Sequence, residues 1–243
     1  MATTDVQTTE APPQPLVNET LLEKMRTEWD ERARENARHY IATANTDWAD
    51  EAYFQSGREN IYHEVLTDMG NVAQGMEPKA MTVLEIGCGS GRLTRALAEN
   101  FGTVYAVDIS GEMIERAKES LRDFPNANVF QNNGADLHVL DGVLAEGKVD
   151  FAFSFIVFQH IPSAGVIHSY VREVFRFLKP GGLFKFQVQG CAAMDDSPED
   201  TWLGVHFTDE SATALAHACG FEPRYFRHDG EQYFWLWFFK PAN

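Results

Sequence analysis

From Leu21 the chain repeats apolar residues every three or four positions, through Leu22, Met25 and Trp29 to Ala33, Ala37, Tyr40 and Ile41, with Glu23, Lys24, Arg26 and Glu28 between them. That period puts one apolar stripe on a helix face and predicts an amphipathic helix, or two in succession, from Asn18 onward. Trp48, Tyr53 and Phe54 follow, then Ser56-Gly57, read as a turn, and a further helix through Ile61, Val65, Leu66 and Met69. Gly70 to Pro78 closes this unit.

Beyond Pro78 the pattern changes to short apolar runs alternating with helical stretches, the signature of βαβ units and a parallel sheet. Strands are predicted at 82–86, 104–107, 128–131, 151–155 and 183–188, and helices at 91–100, 111–123, 135–145 and 166–178. Thr208, Glu210 and Ser211 read as the start of a helix that runs to Cys219 and stops at Gly220. Two last strands, 224–228 and 233–240, meet through Asp229-Gly230 and are expected to pair antiparallel.

Composition adjusts this picture at its ends. Residues 1–18 hold Pro12, Pro13 and Pro15 with no basic residue and little to bury, so a flexible tail is expected there. Residues 19–78 then form a helical cap and 79–243 one large α/β domain. The 20 Lys and Arg stand against 36 Asp and Glu, a net charge of −16 with no basic half. Nucleic acids and anionic membrane surfaces are therefore expected to be poor partners, and small molecules remain open. The longest apolar run, 233–239, is far shorter than the roughly 20 residues of a membrane helix. Cys88, Cys191 and Cys219 are too scattered for a disulfide framework or a CxxC metal site. With no basic start followed by an apolar stretch at the amino terminus, a cytoplasmic location is expected.

The chemistry concentrates in Val83-Leu84-Glu85-Ile86-Gly87-Cys88-Gly89-Ser90-Gly91-Arg92, a buried strand running through alternate glycines into a helix. Such a turn lets backbone approach a ligand where any Cβ would collide. Asp108 lies 21 residues past Gly87, at the end of the next strand, where a carboxylate can accept both hydroxyls of a ribose. A dinucleotide fold would have Gly or Ala at the sixth position of this motif, to seat a helix facing a pyrophosphate; this chain has Arg92. Glu85, two residues before the first glycine, suits a cationic amino-acid tail better than a pyrophosphate.

Glu85 to Gly91 with Asp108 resembles motif I of the class I S-adenosylmethionine-dependent methyltransferases. Asp150 to Phe155 through Phe158-Gln159-His160-Ile161-Pro162 resembles the fourth strand and loop of their small-molecule branch (methyltransferase types 11 and 25). Phe177-Leu178-Lys179-Pro180-Gly181-Gly182-Leu183 resembles their entry to the fifth strand. The resemblance covers residues 80–190 and, more weakly, 208–243. It implies a Rossmann-like, seven-stranded, mostly parallel sheet in the order 3-2-1-4-5-7-6 under an N-terminal helical lid, with S-adenosylmethionine as cofactor and S-adenosylhomocysteine as product. It further implies that Gly87, Cys88, Gly89 and Gly91 line the methionine part, that Glu85 steadies that loop, that Asp108 binds the ribose, and that Ile109 lies against adenine. Asn133, Gly134, Ala135 and Asp136 would meet the adenine amino group, Asp136 alternatively serving as a solvated cap. Phe155 would offer its carbonyl to the cofactor's ammonium.

For the acceptor, Tyr53, Ser56, Gly57 and Arg58 are candidates from the lid, Arg58 reaching the methionine carboxylate, and Trp202 and His206 from the segment 189–207. His160 is either a general base near neutral pH or a brace for its loop. Asp195, Asp196, Glu199 and Asp200 read as a solvated loop, and no metal is expected. The function implied is methyl transfer to a small organic acceptor by in-line displacement. Its rivals are a cofactor-binding protein without turnover and, opposed by Arg92, a nucleotide-dependent oxidoreductase.

Overall fold

The computed structural model describes residues 18–191, 201–230 and 232–242. Strands β1 (Thr82–Ile86), β2 (Thr103–Asp108), β3 (Ala127–Gln131), β4 (Val149–Ser154), β5 (Leu178–Gln189), β6 (Glu222–Asp229) and β7 (Tyr233–Phe239) form one sheet in the order β3-β2-β1-β4-β5-β7-β6. Only β7 runs against its neighbours, and the sheet is the expected Rossmann-like one. Side chains alternate along each strand. Leu84, Ile86 and Phe186 therefore enter one core with Val166, Ile167 and Val171, and Val83, Phe153 and Trp235 enter the opposite one with Leu93, Ala96 and Leu97. The run Phe234–Phe239 is buried throughout because β7 lies between two strands and both of its faces are covered, which explains why it reads as continuously apolar.

Helices α1 (Glu19–Ile41), α2 (Asp50–Glu64) and α3 (Met69–Val72) precede the sheet; α4 (Arg92–Asn100), α5 (Gly111–Ser120), α6 (Ala164–Phe177) and α7 (Asp209–Ala218) flank it. Asn18 caps α1 by accepting from the Thr20 amide, and Asn36 breaks it, with its backbone non-helical (ψ 82°) and its side chain accepting from the His39 amide. The expected succession of two helical segments thus turns on one Asn that recaps the second. These helices do not bury a core of their own. Leu22 and Met25 join the α6 side of the sheet, and Ile61, Val65 and Val72 join the α4 side. Among the described residues no helix is long and apolar enough to cross a membrane.

Three local expectations change. Ser56-Gly57 is not a turn but lies inside α2, and Gly57 is needed there because a Cβ would collide with the Arg92 carbonyl oxygen of α4. The segment 135–145 holds only a single 3-10 turn, His138–Leu140. Its Leu137, Leu140 and Leu144 are buried at helical spacing, but the Asn133 side chain captures the Ala135 and Asp136 amides and Gly142 is left-handed (φ 84°), so no helix propagates. β5 starts at Leu178 rather than Leu183, its register against β4 shifting between Val149 and Phe151. The expected tail, apart from Asn18, and the acidic run 195–200 lie outside the described residues.

Candidate functional site

The sharp turn after β1 is wound onto the end of β2: the Gly87 and Cys88 amides both donate to the Val107 carbonyl, at 2.8 and 3.0 Å. Gly87 and Gly89 are left-handed, at φ 77° and 52°, and a Cβ on them would strike Val157 and the Ile41 Cδ1. Asp108 closes the turn from the neighbouring strand. Its Oδ2 accepts from the Gly89 amide at 2.8 Å and its Oδ1 from the Ser110 amide at 2.9 Å. Ser110 in turn caps α5 and donates to the Asp30 carboxylate of α1 at 2.5 Å, so the first helix is tied to the same corner.

A cavity opens here, at the carboxyl ends of β1, β2 and β4. Glu85, Gly87, Cys88, Gly89, Asp108 and Ile109 form one wall, and Phe155, Ile156, Val157 and His160 another. Met25, Trp29, Tyr40 and Ile41 of α1 roof it. Ile156 holds a left-handed backbone (φ 56°), rare for a β-branched residue and costing about 1–3 kcal/mol, with its amide bonded to Gln187 Oε1 at 3.1 Å. Backbone strain of this kind is found most often at ligand-binding and active-site positions.

Eight of the sequence-derived residues thus share one wall or its neighbour, and others do not. Gly91 packs on Leu121 and Ala117 of the α5 segment instead. Asn133 and Asp136 bond each other at 2.8 Å, Ala135 donates to Asn133, and Gly134 packs under Ile109; the adjacent Asn132 lines the cavity in their place. Asn132 Nδ2 donates to the Tyr170 hydroxyl at 2.7 Å, and its buried Oδ1 has no hydrogen-bond partner. Tyr53 lies behind the glycine turn, its hydroxyl 2.8 Å from Ser90 Oγ. Arg58 faces away, held by Glu99 at 2.9 Å and Glu51 at 3.0 Å. His206 is exposed beside the Gly190 carbonyl. Sequence reasoning missed the Arg92 side chain as a wall residue, although the residue stood in the motif; Trp29 and Tyr40, which read singly as packing and collectively as part of a lid, line the roof.

His160 is buried and both ring nitrogens are engaged. Nδ1 lies 2.6 Å from the Trp202 carbonyl, which can only accept, so Nδ1 carries the proton. Nε2 then accepts from the Gln159 amide at 3.2 Å, whose Oε1 accepts from Gln187 at 2.7 Å. The ring also packs against Trp29 and Trp202, with centroids 5.4 and 5.0 Å away.

Two carboxyls in the wall titrate unusually high. Burial pushes Glu85 up to about 7, only partly offset by its 2.6 Å hydrogen bond from Thr94, and burial pushes Asp108 up to about 6 against the Ser110 and Gly89 amides. Both values exceed those of the unfolded chain, so the ligand-free fold holds protons that the unfolded chain has released. Their contribution to stability is full below about pH 4 and is lost as pH rises through 6 to 7. Glu85→Gln, which cannot ionise, is expected to raise the melting temperature at pH 8 while changing little at pH 5. Equal shifts at both pH values, measured by calorimetry, would contradict this.

Residues 83–182 match a family described as a methyltransferase domain. Among curated proteins, a malonyl-[acyl-carrier protein] O-methyltransferase of Priestia megaterium is 25% identical over 72% of this chain and 53% of its own length. A dTDP-3-amino-3,6-dideoxy-alpha-D-glucopyranose N,N-dimethyltransferase of Streptomyces fradiae is 34% identical over 46% of this chain and 48% of its own. The chain therefore spans about half the length of these two relatives. A Burkholderia thailandensis 1,6-didemethyltoxoflavin-N1-methyltransferase, solved with bound 1,6-didemethyltoxoflavin and S-adenosylhomocysteine, shares the fold at a TM-score of 0.63 and 18% identity, over 95% of this chain and 94% of that one.

Proposed function

We propose that residues 83–182, which match a methyltransferase-domain family, form a class I S-adenosylmethionine-dependent domain, and that the chain moves a methyl group from S-adenosylmethionine to a small organic acceptor. The observation that carries this reading is the Asp108 carboxylate, held by the Gly89 and Ser110 amides at the cavity wall where β1 and β2 end. The remaining residues fit that cofactor. Asp108 keeps lone pairs for two ribose hydroxyls, Ile109 offers an apolar face to adenine, and the orphaned Asn132 Oδ1 is an acceptor for the adenine amino group. Gly87 and Gly89 leave bare backbone for the methionine part, and Glu85 with the Phe155 carbonyl suits an ammonium. Asn133, Gly134, Ala135 and Asp136 shape the loop that presents Asn132, and Gly91 seats α4 on α5.

When bound, S-adenosylmethionine supplies a methyl group activated on a sulfonium. The chain's own part is then to place an acceptor in line and keep water out, by which positioning alone can supply about 7–11 kcal/mol of rate enhancement. Met25, Trp29, Tyr40 and Ile41 exclude water from above. His160, with both nitrogens committed, braces Trp202 and the Trp29 roof rather than taking a proton. A small acceptor is supported by the substrates for which the Streptomyces and Burkholderia proteins are named, and the net charge of −16 disfavours RNA.

Incubation with methyl-labelled cofactor and a panel of small amines, hydroxyls and thiols tests this, labelled acceptor being the expected outcome. His160→Gln should keep the rate within about tenfold. A loss of about 10²–10⁴ would make His160 the general base, and cofactor binding without product from any acceptor would favour a binding protein that does not turn over.

A further inference from the structure

Along β5, Lys185, Gln187 and Gln189 alternate with Phe184, Phe186 and Val188, so the three polar residues share one face of a strand that is paired on both sides. Each is at most 1% exposed. Lys185 is answered by Asp68, and Gln189 accepts from the Cys191 thiol. Gln187 runs instead to the cavity wall. Its Oε1 accepts from the Ile156 amide at 3.1 Å, and its Nε2 donates to the Val188 carbonyl and, at 2.7 Å, to Gln159 Oε1. Gln159 Nε2 donates in turn to His160 Nε2, and His160 Nδ1 to the Trp202 carbonyl. The two ends fix every orientation between them: a backbone N–H can only donate and a backbone carbonyl only accept, so neither glutamine can flip without setting donor against donor and acceptor against acceptor. A buried polar network satisfied in this way selects one conformation. The conformation selected here is that of Ile156, whose left-handed backbone persists only where its surroundings over-determine it. Ile156 also directs its neighbours. A Cβ on Gly87 would lie 2.3 Å from Val157 Cγ2, so the wall after β4 already touches the glycine turn, and Phe155 stacks on Trp235 at 5.1 Å. The separation of the two cavity walls therefore depends on the backbone at Ile156.

We propose that Gln187 is a positioning residue for methyl transfer: through the Ile156 amide it holds the left-handed wall against the glycine turn, anchored by Gln159, His160 and the Trp202 carbonyl. The inference rests on the function proposed above. Gln187 itself does not line the cavity, so its loss should change the rate and leave the affinity for the cofactor in place.

Three measurements on the full chain test this together: amide hydrogen exchange, calorimetric titration with S-adenosylhomocysteine, and turnover of methyl-labelled S-adenosylmethionine with the panel acceptor that the wild type labels fastest. In the wild type the Ile156 amide should exchange as slowly as the amides of β4, although it borders a cavity. Exchange as fast as that of an exposed loop amide overturns the proposal without any variant. Gln187→Met should speed that exchange about tenfold or more and lower kcat about 10- to 100-fold, since a shift of about 1 Å in a bound geometry can cost about a hundredfold. Its affinity for S-adenosylhomocysteine should stay within about threefold. Adding Ile156→Gly, which takes a left-handed backbone without steric cost, should raise kcat at least about threefold above the single variant, a rescue that a role confined to fold stability would not produce. The proposal fails if kcat in Gln187→Met stays within about threefold of the wild type, if affinity falls in step with rate, or if Ile156→Gly recovers nothing. Should Gln187→Met not fold, Gln159→Leu is expected to speed exchange at Ile156 about threefold or more, and unchanged exchange counts against the proposal. Wild-type protein that labels no acceptor overturns the function reading and this inference with it; labelled acceptor with unaltered Gln187→Met kinetics overturns this inference alone.

Discussion

Asp108→Ala is expected to weaken S-adenosylhomocysteine binding by about 1.5–3 kcal/mol, roughly 10- to 150-fold, as hydrogen bonds to a charged group are lost. The carboxylate serves two sets of partners. Its oxygens accept from the Gly89 and Ser110 amides, and through Ser110 it is linked to Asp30 of α1. Alanine therefore also leaves two backbone donors unsatisfied and loosens the turn, and a small fall in melting temperature should accompany the lost affinity. Asp108→Asn, which keeps an acceptor for one amide, should recover part of the thermal loss and little of the affinity. Titration calorimetry decides: unchanged affinity in Asp108→Ala would remove Asp108 from the site.

A larger effect on stability is expected far from the cavity, at Asp68. Lys185 of β5 is 1% exposed as a side chain and reaches Asp68 Oδ2 at 3.1 Å, while the Trp237 indole N–H donates to the same oxygen at 2.6 Å and Asn71 donates to Oδ1 at 2.7 Å. Lys185 Nζ also donates to the Glu64 carbonyl, and burial lowers its pKa. Asp68→Ala strands a buried ammonium, at a cost of about 3–5 kcal/mol. At about 2–4 °C per kcal/mol for a chain of this size, the melting temperature should fall by about 6–20 °C. Pairing Asp68→Leu with Lys185→Met should restore most of it, since an apolar pair of similar volume avoids the desolvation cost. A single-variant loss below about 1 kcal/mol would show that the ammonium escapes to solvent. The same network fastens the segment between α2 and α3 to the sheet, so this part of the cap is a fixed layer of the domain.

The features legible in the sequence were those written locally. The strand and the glycine turn are set by residues within a few positions of one another, Asp108 ends the very next strand 21 residues past Gly87, and the apolar runs of β1, β4 and β7 announce strands buried on both faces. The sheet order followed from the family resemblance. What stayed hidden was decided by packing between distant elements. Arg58 and Arg92 are both cations near the cap; Gly57 seated on the Arg92 carbonyl turns Arg92 inward to Asn60 and leaves Arg58 on the side of Glu99. Asn132 supplants its neighbours because its amide, bonded to the Asp108 carbonyl at 2.9 Å, fixes it at the mouth of β3, while Asn133 is spent on an Asx turn. His160 looked reactive in sequence because nothing local reveals that Gln159 and the Trp202 carbonyl occupy its two nitrogens. The left-handed Ile156 leaves no sequence signal at all.

The most direct test of the account is a parallel calorimetric titration of the purified chain with S-adenosylmethionine, S-adenosylhomocysteine and NAD. The account predicts micromolar binding of the first two and none of NAD. Binding of NAD alone would contradict it.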